Sequence, residues 1–312
     1  MILSIFSWFF TSLCILLGVA FFTLLERKVL SYIQIRKGPN KVGFMGIPQP
    51  LADATKLLLK EVSKPMVANK MPFVLAPVFS FFLALLLWFL FPTLYMINYF
   101  KWGMLFFLCI SSLNVYSTLM AGWSSNSKYA LLGSVRAIAQ TISYEVSMAL
   151  ILLCPLFITG SFCLTKISIS QKFIWFIFMM LPIGLIWFAT CVAETNRVPF
   201  DSAEGESELV SGFNIEYGGG GFALLFLAEY ANILVMSLFS AILFWGGLLN
   251  FLLCSNFLLA MKIFLFAFSF IWIRASYPRF RYDLLMNLAW KSFLLSALIF
   301  LYIIVLLIFL LG

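Results

Sequence analysis

The sequence predicts an all-α integral membrane protein with about eight transmembrane helices and an amphipathic helix in its first long loop. Of the 312 residues, 63% are hydrophobic and only 10% are charged, whereas a soluble domain carries roughly 25% charged residues. The mean hydropathy is +1.07. Apolar runs of about 20 residues, the length that crosses a bilayer, recur along the whole chain.

The apolar runs predict a single membrane domain over residues 1–312. The first run follows no basic region and ends in no small-residue cleavage site, so we expect a retained helix rather than a signal peptide. The sixth and seventh runs are separated only weakly, by residues 250–256. No internal repeat is visible, which disfavours an inverted-repeat transporter. The predicted spans lie near 2–25, 73–96, 102–122, 137–160, 173–193, 222–249, 253–273 and 289–311.

The basic residues lie mostly on one side of this predicted topology. By the positive-inside rule, that side faces a bacterial cytoplasm or a mitochondrial matrix. The net charge of +8 therefore reflects orientation in a membrane, and we expect no nucleic-acid partner. Sixteen of the 20 Lys and Arg residues fall in the loops 26–71, 123–136, 194–221 and 274–291.

Ligands for a redox centre are scarce in this sequence. It contains no His, which excludes a bis-histidine haem protein of the cytochrome b kind. The six Cys residues are scattered and form no CxxC pair. We therefore expect no iron–sulfur cluster, no other metal site and no disulfide framework.

The first long loop, residues 26–71, combines charges with turn and helix signals. The charged residues 26–28 mark the predicted end of the first span, and RKGPNKVG is turn-forming because Gly and Pro punctuate it. PQPLADATKLLLKE predicts a short amphipathic helix that begins near Gln49 and has Leu51, Ala54, Leu58 and also Leu57 on one face. Such a helix either lies among lipid headgroups or docks a soluble partner and bounds a cavity.

The acidic residues concentrate in one predicted loop and the start of the next span. Of the 12 Asp and Glu residues, seven fall between positions 194 and 229, where Arg197 is the single base. Non-helical backbone at membrane depth is tolerated only where it is buried in protein or lines a water-filled cavity. The pattern therefore favours a partly buried acidic funnel over an ordinary solvated loop. The seven acids are Glu194, Asp201, Glu204, Glu206, Glu208, Glu216 and Glu229.

Two acids lie within predicted spans, each beside a tyrosine. Glu145 follows Tyr144 in the fourth span, and Glu229 precedes Tyr230 in the sixth. A charge near the bilayer centre costs at least ~2.5–3.5 kcal/mol, so each carboxyl is either kept neutral or paired for packing, or it serves in a proton path. Carboxylates crowded in a low dielectric cannot all ionise. Together with the acidic loop, the two pairs favour the proton path.

Four long strings, in the same order and spread over nearly the whole chain, resemble the subunit 1 family of proton-pumping NADH:ubiquinone oxidoreductase, respiratory complex I, of the mitochondrial type. The run Gly218–Gly221 departs from the family's pattern, and we expect it to make the loop before the sixth span more mobile. The strings are LLERKVLSYIQIRKGPNKVG, AGWSSNSKYALLGSVRAIAQTISYEVS, AETNRVPFDSAEGESELVSGFNIEY and WIRASYPRFRYDLLMNLAWK.

The resemblance implies a core membrane subunit without a redox centre of its own. It implies that ubiquinone is the substrate, while NADH, FMN and the iron–sulfur clusters bind to partner subunits. The expected partners are the other membrane-arm and hydrophilic-arm subunits and phospholipid. The expected location is the mitochondrial inner membrane, with the long basic and acidic loops on the matrix side.

The resemblance also implies roles for residues at matching motif positions. Arg197 lies where it can pair with the acids of the loop. Candidates for the quinone tunnel and its mouth are Glu26, Arg27, Arg36, Lys37, Asp53, Phe226 and Tyr230. Candidates for an acidic proton path from the quinone cavity toward the pumping subunits are Glu145, Glu194, Asp201, Glu204, Glu206 and Glu229.

Two other classes of protein compete with this interpretation. One is the membrane subunit of a related hydrogenase-type complex, in which the quinone tunnel would be absent or altered; the intact RKGPNK and ETNRVPFDSAEGESELVSG strings disfavour it. The other is a stand-alone ion transporter. The lack of a repeat and the large one-sided loops count against a transporter.

Overall fold

The computed structural model describes residues 2–92, 100–203, 205, 210–247 and 256–311. These residues form helices joined by turns, and no strand occurs among them. The α-helices in chain order are α1 (Ile2–Ile33), α2 (Gln49–Leu59), α3 (Lys70–Leu87), α4 (Gly103–Ser124), α5 (Lys128–Thr159), α6 (Leu164–Ser170), α7 (Phe176–Met179), α8 (Leu181–Glu194), α9 (Gly219–Phe244), α10 (Asn256–Ser276), α11 (Tyr282–Asn287) and α12 (Leu294–Leu311). Short 3₁₀ helices cover Trp88–Leu90 and Gly212–Asn214, and a π-helix covers Leu288–Phe293.

Within the described ranges, seven helical stretches are long and apolar enough to cross a membrane, and α8 is a shorter apolar helix. The predicted fold class, an all-α membrane protein with about eight transmembrane helices, is thereby confirmed. The predicted span 173–193 is divided between α7 and α8. Pro182 lies in the first turn of α8, where its missing N–H costs nothing, but it cannot continue a helix from the preceding turn.

Three helical stretches extend well beyond the predicted spans; one is the last, which begins at Tyr282 instead of near residue 289. α1 continues to Ile33 instead of ending near residue 25, and α5 begins at Lys128, before residue 137. The charged residues at the end of the first span stay in the helix because Glu26 is buried against neighbouring helices. Most of the weak separator 250–256 lies outside the described residues.

The second half of α9 forms the centre of the bundle. Every residue from Val235 to Phe244 is buried, as expected for a helix that is apolar around its whole circumference. α3, α10 and α1 pack around it. At the periphery, α1 and α12 expose large apolar side chains such as Phe9, Leu17 and Phe309, which suits surfaces that meet lipid or another membrane subunit.

The amphipathic helix predicted in the first long loop is confirmed as α2, which begins at Gln49. α2 packs against α1 and α9 with Pro50 buried and Leu57 half-buried. Apart from Leu57, the predicted apolar face points away from the bundle, since Leu51 is 60% exposed and Leu58 is 73% exposed. That face is therefore available to lipid or to a partner.

The glycine run lies at the start of α9, with Gly219–Gly221 already helical. Gly219 has φ +56°, and a Cβ atom at this position would lie 3.1 Å from the carbonyl oxygen of Lys60. Glycine is therefore required where α9 begins against the end of α2.

Candidate functional site

A buried charge cluster forms where α1, the loop after α8, α9 and α10 meet. Glu26 of α1 is only 5% exposed. Its Oε2 accepts a 2.6 Å hydrogen bond from the hydroxyl of Tyr230 on α9. Its Oε1 pairs with Arg274 at the end of α10 and lies 3.7 Å from Nη1 of Arg197. Both oxygens of the buried carboxylate thus have partners, which a buried charge requires.

An amphiphilic cavity of about 240 Å³ opens beside this Glu26 cluster. Its apolar wall consists of aromatic side chains four residues apart on α9, which places them on one face of the helix. The ring centroids of Phe222 and Phe226 are 4.2 Å apart, and those of Phe226 and Tyr230 are 6.4 Å apart. The guanidinium of Arg197 lies 4.5 Å from the centroid of the Tyr230 ring. The full lining is Arg197, Asp201, Ser211, Asn214, Phe222, Phe226, Tyr230, Arg274 and Arg279.

Asp201 connects this cavity to a second one. Its side chain is buried, and its Oδ2 lies 3.4 Å from Nη2 of Arg279. The second cavity has a volume of about 230 Å³ and is bordered by Asp201, Ser202, Gly205 and the segment 279–282. Glu204 and Glu206, the predicted acids on either side of Gly205, lie outside the described residues, as does Glu208.

The other predicted acids gather around two small cavities deeper in the bundle. Oε1 of Glu145 on α5 accepts a 3.0 Å hydrogen bond from Ser111 on α4. Glu194 is the last residue of α8, and its carboxyl group is close enough to that of Glu145 for the two to repel each other when charged. A cavity of about 20 Å³ borders Ser111 and Glu194, and one of about 50 Å³ borders Glu194 and Glu229. Glu194 and Glu229 therefore border one cavity, and Glu145 is linked to the other through its hydrogen bond with Ser111.

Both small cavities share Asn114, Thr195 and Asn232 in their walls. Each exceeds the roughly 10–15 Å³ that one water molecule needs. Among the described residues, Oε2 of Glu194 and Oδ1 of Asn232 are buried acceptors without a protein donor. Water in these cavities would hydrogen-bond to such acceptors.

The remaining predicted tunnel residues lie at the surface near α2. Nη1 of Arg27 is 2.6 Å from Oδ2 of Asp53, whose Oδ1 accepts a 2.8 Å hydrogen bond from Gln49. Because Arg27 is 53% exposed, this ion pair orients α2 more than it stabilises the fold. Arg36 and Lys37 are exposed in the turn after α1 and line none of the cavities described above.

Sequence reasoning missed Arg274 and Arg279. Both lie in the string WIRASYPRFRYD, where the positive charge was the only sign that they are functional. A positively charged residue next to a membrane span ordinarily signals orientation. Their pairing with Glu26 and Asp201 depends on contacts between residues far apart in the chain.

Comparisons with known proteins match this chain over nearly its whole length. A family model described as NADH dehydrogenase matches residues 6–305. NADH-ubiquinone oxidoreductase chain 1 of Aedes aegypti is 55% identical over 301 residues, covering 96% of this chain and 95% of that protein. The proteins of the same name from Heterololigo bleekeri and Tolypeutes matacus are 57% and 53% identical, over 96% and 90% of this chain and 95% and 89% of their own lengths. The chain therefore belongs to the NADH dehydrogenase family, as a multi-pass membrane subunit of the NADH-ubiquinone oxidoreductase chain 1 type.

Proposed function

We propose that this chain walls part of the ubiquinone tunnel of a proton-pumping NADH:ubiquinone oxidoreductase and carries an acidic path from that tunnel toward the pumping subunits. The cavity of about 240 Å³ beside Glu26 supports this proposal most directly. Ubiquinone has an apolar tail and a head with carbonyl acceptors. A cavity with one aromatic wall and an opposing wall of polar and charged side chains offers separate surfaces to the apolar part and to the polar head of such a ligand.

The two walls of the cavity have different proposed roles in quinone binding. Phe222, Phe226 and Tyr230 form a wall along which the apolar part of the quinone passes. Arg197 and Arg274 both pair with Glu26 and line the cavity, so their guanidinium groups face the polar head of the quinone. The planar guanidinium presents five donors in a fixed geometry and keeps its charge at any physiological pH.

Reduction of ubiquinone to ubiquinol consumes two electrons and two protons. We assign the electrons to partner subunits, which hold NADH, FMN and the iron–sulfur clusters, because this sequence has neither a His nor a CxxC pair for a redox centre. The residues of this chain bind and orient the quinone. The change of charge at the quinone head then acts on Asp201, which borders the same cavity.

The acidic path continues from Asp201 to Glu194, Glu145 and Glu229. Charges interact far more strongly in a low dielectric than in water, so a proton gained at one carboxylate changes the proton affinity of the next. The small cavities beside Glu194 supply space for the connecting waters. Glu204 and Glu206 belong to the same path in this proposal.

The exposed surfaces of the chain suggest which partners and which side of the membrane they face. We assign the side of Arg36 and Lys37 to the mitochondrial matrix, where the exposed face of α2 meets hydrophilic-arm subunits. The exposed apolar sides of α1 and α12 meet phospholipid or other membrane-arm subunits.

The substitution Phe226→Trp tests the tunnel wall, because it adds bulk to a side chain that lines the cavity. We expect the KM for ubiquinone to rise at least about 5-fold, the effect of ~1 kcal/mol of steric penalty. NADH oxidation by an artificial acceptor that takes electrons before the quinone should not change. Phe264→Trp is the matched control, since Phe264 is 47% exposed on α10. Equal quinone kinetics in the two variants would contradict the proposal.

A further inference from the structure

The side chain of Gln140 on α5 hydrogen-bonds to the segment that carries Glu194 and Asp201. Its side chain is fully buried. Nε2 donates hydrogen bonds to the carbonyl oxygens of Ala193 at 3.0 Å and of Phe200 at 2.6 Å. Oε1 accepts a hydrogen bond of 2.5 Å from the hydroxyl of Ser202. One amide therefore holds both ends of residues 193–202, a segment that we call the acidic strap.

The backbone positions that Gln140 holds are those next to two proposed proton-path residues. Glu194 directly follows Ala193, and Asp201 lies between Phe200 and Ser202. The amide thus bridges the point where the strap borders the large cavity and the point where it borders the small ones.

The strap is also held beyond Gln140. Tyr144, one turn further along α5, packs against Phe200 with ring centroids 5.8 Å apart. On the other side of the strap, the N–H of Phe280 donates a 3.0 Å hydrogen bond to the carbonyl oxygen of Pro199. Gln140 and Tyr144 hold the strap on the same helix that carries Glu145.

A buried amide is costly unless its hydrogen bonds are made. In Gln140 both N–H groups and the carbonyl oxygen have partners, so the residue fixes one arrangement of the strap. An apolar side chain could fill the same volume at less cost if only packing mattered. What the amide adds is a defined position for the backbone beside each acid.

We propose that Gln140 is a positioning residue for quinone reduction, which sets the separation of Asp201 from Glu194 and thereby connects the quinone cavity to the acidic path. This inference rests on the function proposed above. It predicts that loss of the amide slows turnover in the assembled enzyme without changing how NADH is oxidised.

The chain offers a matched control in Gln171, which is also fully buried. Its Nε2 donates to the carbonyl oxygens of Ile242 and Leu243 at 2.9 and 3.0 Å, and its Oε1 accepts from the N–H of Gly246 at 2.9 Å. The chemistry matches that of Gln140, but none of these three partners is a proposed site residue. Gln171→Leu therefore measures the structural cost of losing a buried amide.

The experiment compares Gln140→Leu, Gln140→Glu and Gln171→Leu in membranes containing the complete complex. Assembled complex is quantified on native gels, and turnover is expressed per assembled complex. For Gln140→Leu we expect quinone-reductase kcat to fall about 10-fold, the effect of ~1.4 kcal/mol on the barrier. NADH oxidation by an artificial acceptor should stay at the wild-type rate. Gln171→Leu should lower only the amount of complex.

Gln140→Glu tests positioning through the pH dependence of quinone reduction, which should not change if Gln140 has a merely structural role. A neutral carboxyl at this position donates one hydrogen bond, whereas a carboxylate would face the carbonyl oxygens of Ala193 and Phe200. Burial raises the pKa of a carboxyl above its ordinary value. We therefore expect the introduced carboxyl to lose its proton, and the activity of Gln140→Glu relative to wild type to fall, as the pH rises from about 6 to about 9. A pH profile parallel to that of wild type would overturn the inference. If Gln140→Leu fails to assemble, the pH profile of Gln140→Glu alone tests the positioning role.

Two further outcomes separate this inference from the proposed function. If Gln140→Leu turns over like wild type, or falls no further than Gln171→Leu, while Asp201→Asn and Glu194→Gln slow quinone reduction, then Gln140 has no positioning role and the proposed function stands. If the two acid variants also turn over like wild type, then the proposed function fails.

Discussion

The hydroxyl of Tyr230 donates a 2.6 Å hydrogen bond to Glu26, which lies 204 positions earlier in the chain. Because Glu26 also pairs with Arg274 and Arg197, this carboxylate joins the aromatic wall of the cavity to its cationic wall. A change at Glu26 or at Tyr230 should therefore affect quinone binding through both walls.

Replacing Tyr230 by Phe removes the hydroxyl and keeps the ring. A hydrogen bond to a charged group contributes ~1.5–3 kcal/mol, so we expect quinone-reductase kcat/KM to fall about 10-fold or more. Steady-state assays with a soluble ubiquinone analogue measure this ratio. Tyr302→Phe provides the control, since Tyr302 is 64% exposed on α12; a matching loss in both variants would argue against a specific role of the Tyr230 hydroxyl.

Replacing Glu26 by Gln leaves the cations of the cluster without their anion, and we expect less assembled complex. Breaking a buried ion pair costs ~3–5 kcal/mol, and solvent should reduce that cost here because the side chain of Arg274 is 36% exposed. Combining Glu26→Gln with Arg274→Met removes both charges and should restore part of the assembly. Native gels and the rate of thermal inactivation measure the effect. A double variant that assembles less well than Glu26→Gln alone would show that the pairing does not control assembly.

Replacing Asp201 by Asn should affect coupling more than stability. Its partner Arg279 is 39% exposed, so the ion pair contributes no more than ~1 kcal/mol to stability. We expect normal assembly and a several-fold lower rate of proton pumping driven by quinone reduction. The control is Asp283→Asn, which breaks the exposed Arg281–Asp283 pair at 3.0 Å. Pumping at the wild-type rate in Asp201→Asn would remove Asp201 from the proposed path.

Replacing Ser111 by Ala removes the hydroxyl that donates to Glu145. Loss of a hydrogen bond that contributes ~0.5–1.5 kcal/mol should slow coupled turnover about 2- to 13-fold. Proton uptake and quinone reduction, measured together in vesicles, give the effect. The neighbouring exposed Ser112 donates to the carbonyl oxygen of Cys109 in its own helix, and Ser112→Ala should behave like wild type. Equal behaviour of the two serine variants would contradict a role for the Ser111–Glu145 contact.

The helices could be predicted from the sequence because membrane spans are encoded locally. A run of about 20 apolar residues identifies a span by itself, and the amphipathic period of residues 49–59 identified α2 in the same way. The division between α7 and α8 could not be placed by hydropathy, since residues 173–193 are apolar on both sides of Met180.

The site was only partly predictable, because its contacts join distant parts of the chain. The motif positions supplied Glu26, Arg197 and Tyr230, which the fold brings together. The choice of Arg274 as a partner for Glu26, 248 positions away, depends on how α1 and α10 pack. The same holds for Gln140, whose partners lie 53 to 62 positions further along the chain.

The most direct test of the account is photo-crosslinking of a ubiquinone analogue in intact, NADH-oxidising membranes, followed by peptide mapping of this chain. We predict label in the loop after α8 and in the first half of α9, around Phe222, Phe226 and Tyr230, and loss of that label when a quinone-site inhibitor is added. Label confined to the distant helices, or found on partner subunits alone, would contradict the assignment of this cavity to the quinone tunnel.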